Sequence, residues 1–185
     1  MNLFLRGLLM KAMHGTSVVT LLSAVCFCIL YYLLGGDTLL TLAITFTTIA
    51  YHFNFRLLIG GIFNGIMHNR ADYTKKWYQV SDNEMAFYKK IKIKKWKSKM
   101  PTYDTDAFDI TKHSWDEIIQ TTCQSELVHE ANVLFCFLPV LASIWVGAFE
   151  VFIVTSTVSA LLDLMFVFMQ RFNRGRMMRM KGRKS

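Results

Sequence analysis

The chain has little of what builds a soluble enzyme. Only two of its 185 residues are proline, Pro101 and Pro139, which leaves no room for extended Pro-rich linkers. Charged residues make up 18% of it, against 53% hydrophobic and 14% aromatic. A soluble domain of this length normally carries more charge and fewer aromatics. Acids are scarce, 13 Asp and Glu against 21 Lys and Arg, for a formal net charge of +8. Cysteines are few and scattered: Cys26 and Cys28 share one apolar run, Cys136 lies in another and Cys123 stands alone. That pattern gives neither a disulfide framework nor a metal site and reads as buried free thiols. There is no Gly-x-Ser-x-Gly, no phosphate-binding Gly loop, no Cys-x-x-Cys and no His-Glu-x-x-His. These absences remove support for a nucleotide-driven motor, a zinc hydrolase or a Rossmann oxidoreductase.

What the chain does have is apolar length. The reading is an all-α integral membrane protein with about four transmembrane helices, forming one membrane domain over residues 1–185. The spans are expected at 17–34, 38–59, 131–149 and 151–169. Met1–Met13 mixes apolar residues with Arg6 and Lys11 and reads as a surface helix. Ser17–Leu34 is followed by Gly35-Gly36-Asp37 rather than by a small-residue cleavage site, so a span is expected and not a signal peptide. Gly60-Gly61 is expected to end or bend the second span. The segment 68–130 is polar, basic and mainly helical, with capping boxes at Ser81/Glu84 and Ser114/Glu117. The helix after Ser114 meets no breaker before Ala131. Only Glu150 divides 131–149 from 151–169; two short spans are favoured over a re-entrant hairpin. A basic tail, 170–185, holds seven Arg or Lys residues and no acid.

Charge bias sets an orientation. The turns near Asp37 and Glu150 carry no Lys or Arg, whereas both ends and the middle segment do. The positive-inside rule then places both termini and 68–130 in the cytoplasm.

Lys89–Lys99 packs seven lysines and Trp96 into eleven residues. Between apolar spans, such a run attracts anionic lipid headgroups, with Trp96 at the interface; Lys94, Lys95, Lys97 and Lys99 are candidates for binding donor phosphates. Membrane lipid is a more economical partner than nucleic acid. Glu126 and His129 lie three apart on a helix, a spacing that lets a carboxylate orient a general-base imidazole. The bland reading is an interfacial pair ending a solvated helix face. His52 and Arg56 lie inside the second span, where ionisable groups face a cavity or a partner, so they are candidate substrate contacts. An Arg56–Asp163 ion pair joining two spans is the structural alternative. The cluster Gln170-Arg171-Phe172-Asn173-Arg174-Gly175-Arg176 satisfies the positive-inside rule. Through Arg171, Asn173 and Arg174 it also offers phosphate or sugar contacts. His68 and Asp72 form a His-x-x-x-Asp pattern that chance often produces.

Three of these elements, in this order, resemble the glycosyl-4,4'-diaponeurosporenoate acyltransferase family: Phe87-Tyr88 with Lys94–Pro101, then Glu126–His129, then Gln170–Arg176. These are small bacterial membrane proteins associated with esterifying a sugar hydroxyl of a glycosylated carotenoid with a fatty acyl chain. The His52-Asn54-Arg56 group matches no motif of that family. The resemblance implies a membrane-bound O-acyltransferase of the bacterial cell membrane acting on a glycolipid acceptor, with acyl-CoA or a similar thioester as donor and no bound cofactor. On this reading His129 removes the hydroxyl proton and Glu126 orients it, while the lysines or Arg171 and Arg174 hold donor phosphates or the oxyanion. A small membrane lipid methyltransferase is the runner-up, although no residue set would hold a sulfonium cofactor. A non-enzymatic protein that binds anionic lipid is the third reading.

Overall fold

The structure, a computed structural model, describes residues 8–96, 100 and 106–182. These residues form helices and turns, with no strand among them. We label the helices α1 (Leu8–Leu34), α2 (Asp37–Met67), α3 (Asp82–Lys90), α4 (Ile93–Trp96), α5 (Trp115–Phe135), α6 (Leu138–Val146) and α7 (Phe149–Gly182). Four stretches are long and apolar enough to cross a membrane: Met10–Leu34, Asp37–Met67, Trp115–Val146 and Phe149–Gly182. Val18, Leu22, Leu134, Ile144 and Leu161 are exposed on them, as suits side chains solvated by lipid. The chain is a multi-pass membrane protein.

Two tight turns lie at one end of the bundle. Gly35 and Gly36 have φ of +70° and +94°, a conformation that glycine adopts without steric cost. The second turn is Gly147-Ala148, at φ +71° and +54°. It falls before Glu150, which thereby sits in the first turn of α7, where a carboxylate suits the positive helix end.

The helices are longer than the apolar runs that predicted them. α1 runs unbroken from Leu8, so no separate surface helix ends at Met13; residues 1–7 lie outside the described part. α2 continues through Gly60-Gly61 and stops only where His68 turns left-handed and donates its N–H to Asn64 O at 3.0 Å. The expected basic tail is no tail as far as Gly182. It is the last part of α7, with Phe172, Arg174 and Gly175 buried.

The third span is interrupted instead. Pro139 has no N–H to give the carbonyl of Phe135, four residues back. Helix α5 therefore ends at Phe135 and α6 starts at Leu138. The Tyr51 hydroxyl of α2 donates to the Phe135 carbonyl at 2.9 Å, satisfying it from a neighbouring span.

Packing follows the turns. α1 and α2 form an antiparallel pair tied by Ser17 Oγ donating to Asn54 Oδ1 (2.7 Å) and by stacked Phe27 and Phe46. α5 packs along α7, and α2 touches both. Both capping serines act as expected, Ser114 in a full capping box with Glu117. The middle segment docks on α7 through Met85, Tyr88, Ile93 and Phe172. A Cβ on Gly175 would come within 2.9 Å of Met85 Sδ and 3.2 Å of Val80 Cβ, so glycine sets how closely α7 meets this segment.

Candidate active site

Three helices bring charge together inside the bundle. His129 of α5 places Nδ1 2.9 Å from Asp163 Oδ1 on α7. The other oxygen, Oδ2, accepts from Arg56 Nε (2.9 Å) and Nη2 (2.6 Å) on α2. Arg56 Nη2 also donates to the Ser159 carbonyl and hydroxyl, at 3.0 and 2.8 Å. An ionised carboxylate only accepts, so Nδ1 is the nitrogen that donates to Asp163, and in the neutral ring the lone pair is on Nε2. The ring stacks on Phe166 with centroids 4.7 Å apart, which fixes its plane. The Asp163 side chain is 2% exposed but that of His129 is 21% exposed, so the imidazole is partly exposed while its carboxylate is buried.

Counted from the tight-turn ends at 1.5 Å per residue, Arg56 lies about 28 Å down α2, His129 about 26 Å down the third span and Asp163 about 21 Å down α7. Against a hydrocarbon core of about 30 Å, these positions fall in the half of each span farther from the tight turns. The Arg56–Asp163 pair joining two spans is present.

Glu126 does not orient His129. It is fully buried and faces α7 further along, pairing Oε1 with Arg171 Nη1 at 2.5 Å and Oε2 with Arg174 Nη2. A spacing of three puts two residues on one broad helix face, yet each finds its own partner across the interface. Long arginine side chains from the next turns of α7 reach Glu126 first.

The two arginines are committed internally as well. Arg171 meets Glu84 through Nε (2.5 Å) and Nη2 (3.1 Å), and donates to the carbonyls of Trp77 and Gln79. Arg174 is fully buried; its Nε donates to the Tyr78 carbonyl at 2.8 Å and its guanidinium lies over the Tyr78 ring. Burial raises the Tyr78 phenol. Burial also pushes the Glu84 carboxyl up, but hydrogen bonds from Arg171 and Tyr88 outweigh it and hold Glu84 below the ordinary carboxylate value. The Tyr88 phenol is raised by burial and by the neighbouring Glu84 carboxylate. This network seals the middle segment onto α7 and leaves neither arginine presented to a phosphate.

The remaining sequence candidates separate. His52 is buried one turn before Arg56 on α2, and neither ring nitrogen has a hydrogen-bond partner among the described residues. Asn132 Oδ1 and Ser156 Oγ, on the third span and α7, are likewise buried and unpartnered there. Lys94 and Lys95 are exposed on α4. Lys97 and Lys99 lie outside the described residues, as does the side chain of Trp96. Asn173 lines a groove beside the start of α5. His68 caps α2, and Asp72 accepts from Thr74, so their His-x-x-x-Asp spacing joins nothing. Two residues were missing from the expected site. Asp163 was signalled as the one acid between Val151 and Met169, and Glu84 only as a helix-capping residue.

A family described as glycosyl-4,4'-diaponeurosporenoate acyltransferase matches residues 72–183, well over half of the chain. The chain belongs to this family. It is therefore an acyltransferase, and the family implies glycolipid acylation in carotenoid biosynthesis. No curated protein and no solved structure matches the chain. The acyltransferase match contains His129, Asp163, Glu126, Arg171 and Arg174, and begins after α2. Arg56 and His52 come from outside it, so α2 completes the charge cluster of the acyltransferase region.

Proposed function

We propose that the protein is a membrane-bound O-acyltransferase of the bacterial cell membrane, which esterifies a sugar hydroxyl of a glycolipid at the cytoplasmic interface. A glycosylated carotenoid is the fitting acceptor and an acyl thioester such as acyl-CoA the fitting donor. The contact between His129 Nδ1 and Asp163 carries this reading, because it leaves Nε2 as a base on a partly exposed ring.

His129 Nε2 takes the hydroxyl proton as the sugar oxygen attacks the thioester carbonyl. The tetrahedral adduct collapses, the C–S bond breaks, and the imidazolium returns the proton to the departing thiolate. An ester and a free thiol result. Asp163 holds the ring in the productive tautomer and offsets the imidazolium charge, and Arg56 fixes Asp163 through its second oxygen. The site's place in the half of the spans farther from the tight turns suits a reaction that joins a polar headgroup to an acyl chain. Exposed Lys94 and Lys95 add to the basic surface that draws anionic ligands to that side. Both termini and the middle segment are cytoplasmic in this arrangement, where acyl-CoA is found.

The test is turnover in lipid nanodiscs, scored by mass spectrometry of the ester. A general base contributes on the order of 10²–10⁴-fold in rate, so His129→Ala lowers kcat by that factor while expression and membrane insertion persist. Asp163→Asn lowers kcat as well, with little change in acceptor KM. Normal turnover by a well-folded His129→Ala protein would remove the imidazole from the mechanism.

A further inference from the structure

The basic residues of α7 differ in how they are neutralised. Arg171 and Arg174 pair with Glu84 and Glu126, Arg179 with Asp82 at 2.6 Å and Lys181 with Asp116 at 2.5 Å. Arg176 is exposed and has no carboxylate partner among the described residues; its guanidinium lies 5.7 Å from the centroid of the Phe172 ring. The one arginine left over also lines a groove of about 250 Å³ between the start of α5, the end of α7 and the turn Asp106–Phe108. Its walls are mixed: apolar Phe108, Ile110, Trp115, Ile118, Met177 and Met180 stand beside polar Thr122 and Asn173. Trp115 and Met180 are exposed there, as is Ile110.

A groove with one wall of aromatic and methionine side chains and an exposed guanidinium beside polar Asn173 is complementary to an amphiphile with an acyl chain and a phosphate. Methionine walls suit chains of variable length, because the thioether is flexible and polarisable. Arginine suits phosphate, because its planar fork donates two parallel hydrogen bonds. Arg176 lies thirteen residues past Asp163 on α7, about 20 Å along the axis, with the Glu126–Arg171–Arg174 network between. Thr122, in its wall, lies seven residues before His129 on α5, hence on the same face and about 10 Å away along the axis.

We propose that this groove binds a phosphate-bearing acyl amphiphile, with Arg176 on the phosphate and Trp115 against the acyl chain. Two sources share that chemistry, a coenzyme A thioester and an anionic phospholipid. Naming the groove as the donor subsite rests on the acyltransferase reading above; the binding itself does not.

The experiment uses the full chain in nanodiscs. A fatty acyl-coenzyme A with a brominated chain is titrated while tryptophan emission is followed, since bromine quenches only on contact. Saturable quenching is expected, with Trp115→Phe losing the saturable component above the background from exposed Trp77 and Trp145. One charge-assisted bidentate contact is lost in Arg176→Gln, so about tenfold more ligand is needed. A second arm places the same brominated chain on phosphatidylglycerol or phosphatidylcholine. Arg176-dependent quenching confined to phosphatidylglycerol assigns the groove to lipid, and quenching by the thioester assigns it to donor. Unchanged titrations in Arg176→Gln, or a full signal in Trp115→Phe, overturn the proposal. Turnover that persists with an unaltered donor KM in Arg176→Gln overturns the subsite and leaves the acyltransferase reading standing. Arg176-dependent binding without turnover leaves the amphiphile site standing and overturns both the acyltransferase reading and the donor assignment that rests on it.

Discussion

Glu126→Gln separates structure from chemistry at the carboxylate that sequence spacing had assigned to His129. The substitution keeps the shape of the side chain and removes its charge. Arg171 retains Glu84, but Arg174 is fully buried and Glu126 is the one carboxylate paired with it among the described residues. Stranding a buried charge in this way costs about 3–5 kcal/mol. That is roughly two to four powers of ten in the unfolding equilibrium. The assay is equilibrium unfolding in mixed detergent micelles, followed by tryptophan emission. Arg174→Met introduced on top of Glu126→Gln removes the stranded charge and recovers much of the loss, a non-additivity diagnostic of a shared pair. Near the folded baseline, Glu126→Gln turns over substrate with almost wild-type kcat, because His129 still has Asp163. A Glu126→Gln protein as stable as wild type but inactive would refute this reasoning and return Glu126 to the chemistry.

Three further outcomes follow from other contacts. Gly175→Leu pushes Val80 and Met85 off α7 and lowers the melting temperature, whereas Gly175→Ala, relieved partly by movement of the flexible Met85, costs less; calorimetry in detergent ranks the two. Because folding depresses the Glu84 carboxyl, its stabilisation of the docked middle segment is complete above its unfolded pKa and is lost as pH falls through the lower folded value; protease accessibility of 81–96 therefore rises on acidification, and Glu84→Gln flattens that dependence. Tyr51→Phe leaves the Phe135 carbonyl without its donor and costs about 1–3 kcal/mol, but on a Pro139→Ala background, where residue 139 regains an N–H, the cost shrinks; a double-mutant cycle by unfolding measures the difference.

Much of the architecture could be read from hydropathy, since a bilayer allows few alternatives to apolar helices of span length. Helix ends were legible where side chains act on nearby backbone, as at Ser114 and Ser81. They were misread where the determinant is distant. Nothing local says that Gly60-Gly61 stays helical, or that residues beyond Gln170 are buried by docking on 78–93. The kink at Pro139 was in the sequence, but its acceptor of last resort, Tyr51, lies 84 residues away. At the candidate site, counting depth along the spans paired Arg56 with Asp163, because lone charges inside apolar runs have few possible partners. Spacing gave His129 the wrong carboxylate, because local proximity along a helix competes with contacts across an interface that periodicity does not rank. The roles within Gln170–Arg176 were invisible for a related reason. Which arginine is left unpaired depends on acids at positions 84 and 126, far from the motif.

The joining of Arg56 to Asp163 also has a consequence for biogenesis. The two are 107 residues apart in sequence. At a synthesis rate of about 5–20 residues per second, Arg56 emerges roughly 5–20 s before its counter-charge exists. During that interval α1 and α2 form a hairpin in the membrane with an unneutralised guanidinium, tolerable only because Arg56 lies near enough to the boundary to extend toward water and phosphate. The last helix then delivers, in one insertion event, the acid that neutralises Arg56, the partner that orders His129 and the arginines that clamp the middle segment. A chain stalled before α7 leaves Arg56 without its counter-charge, whereas the completed chain pairs it with buried Asp163.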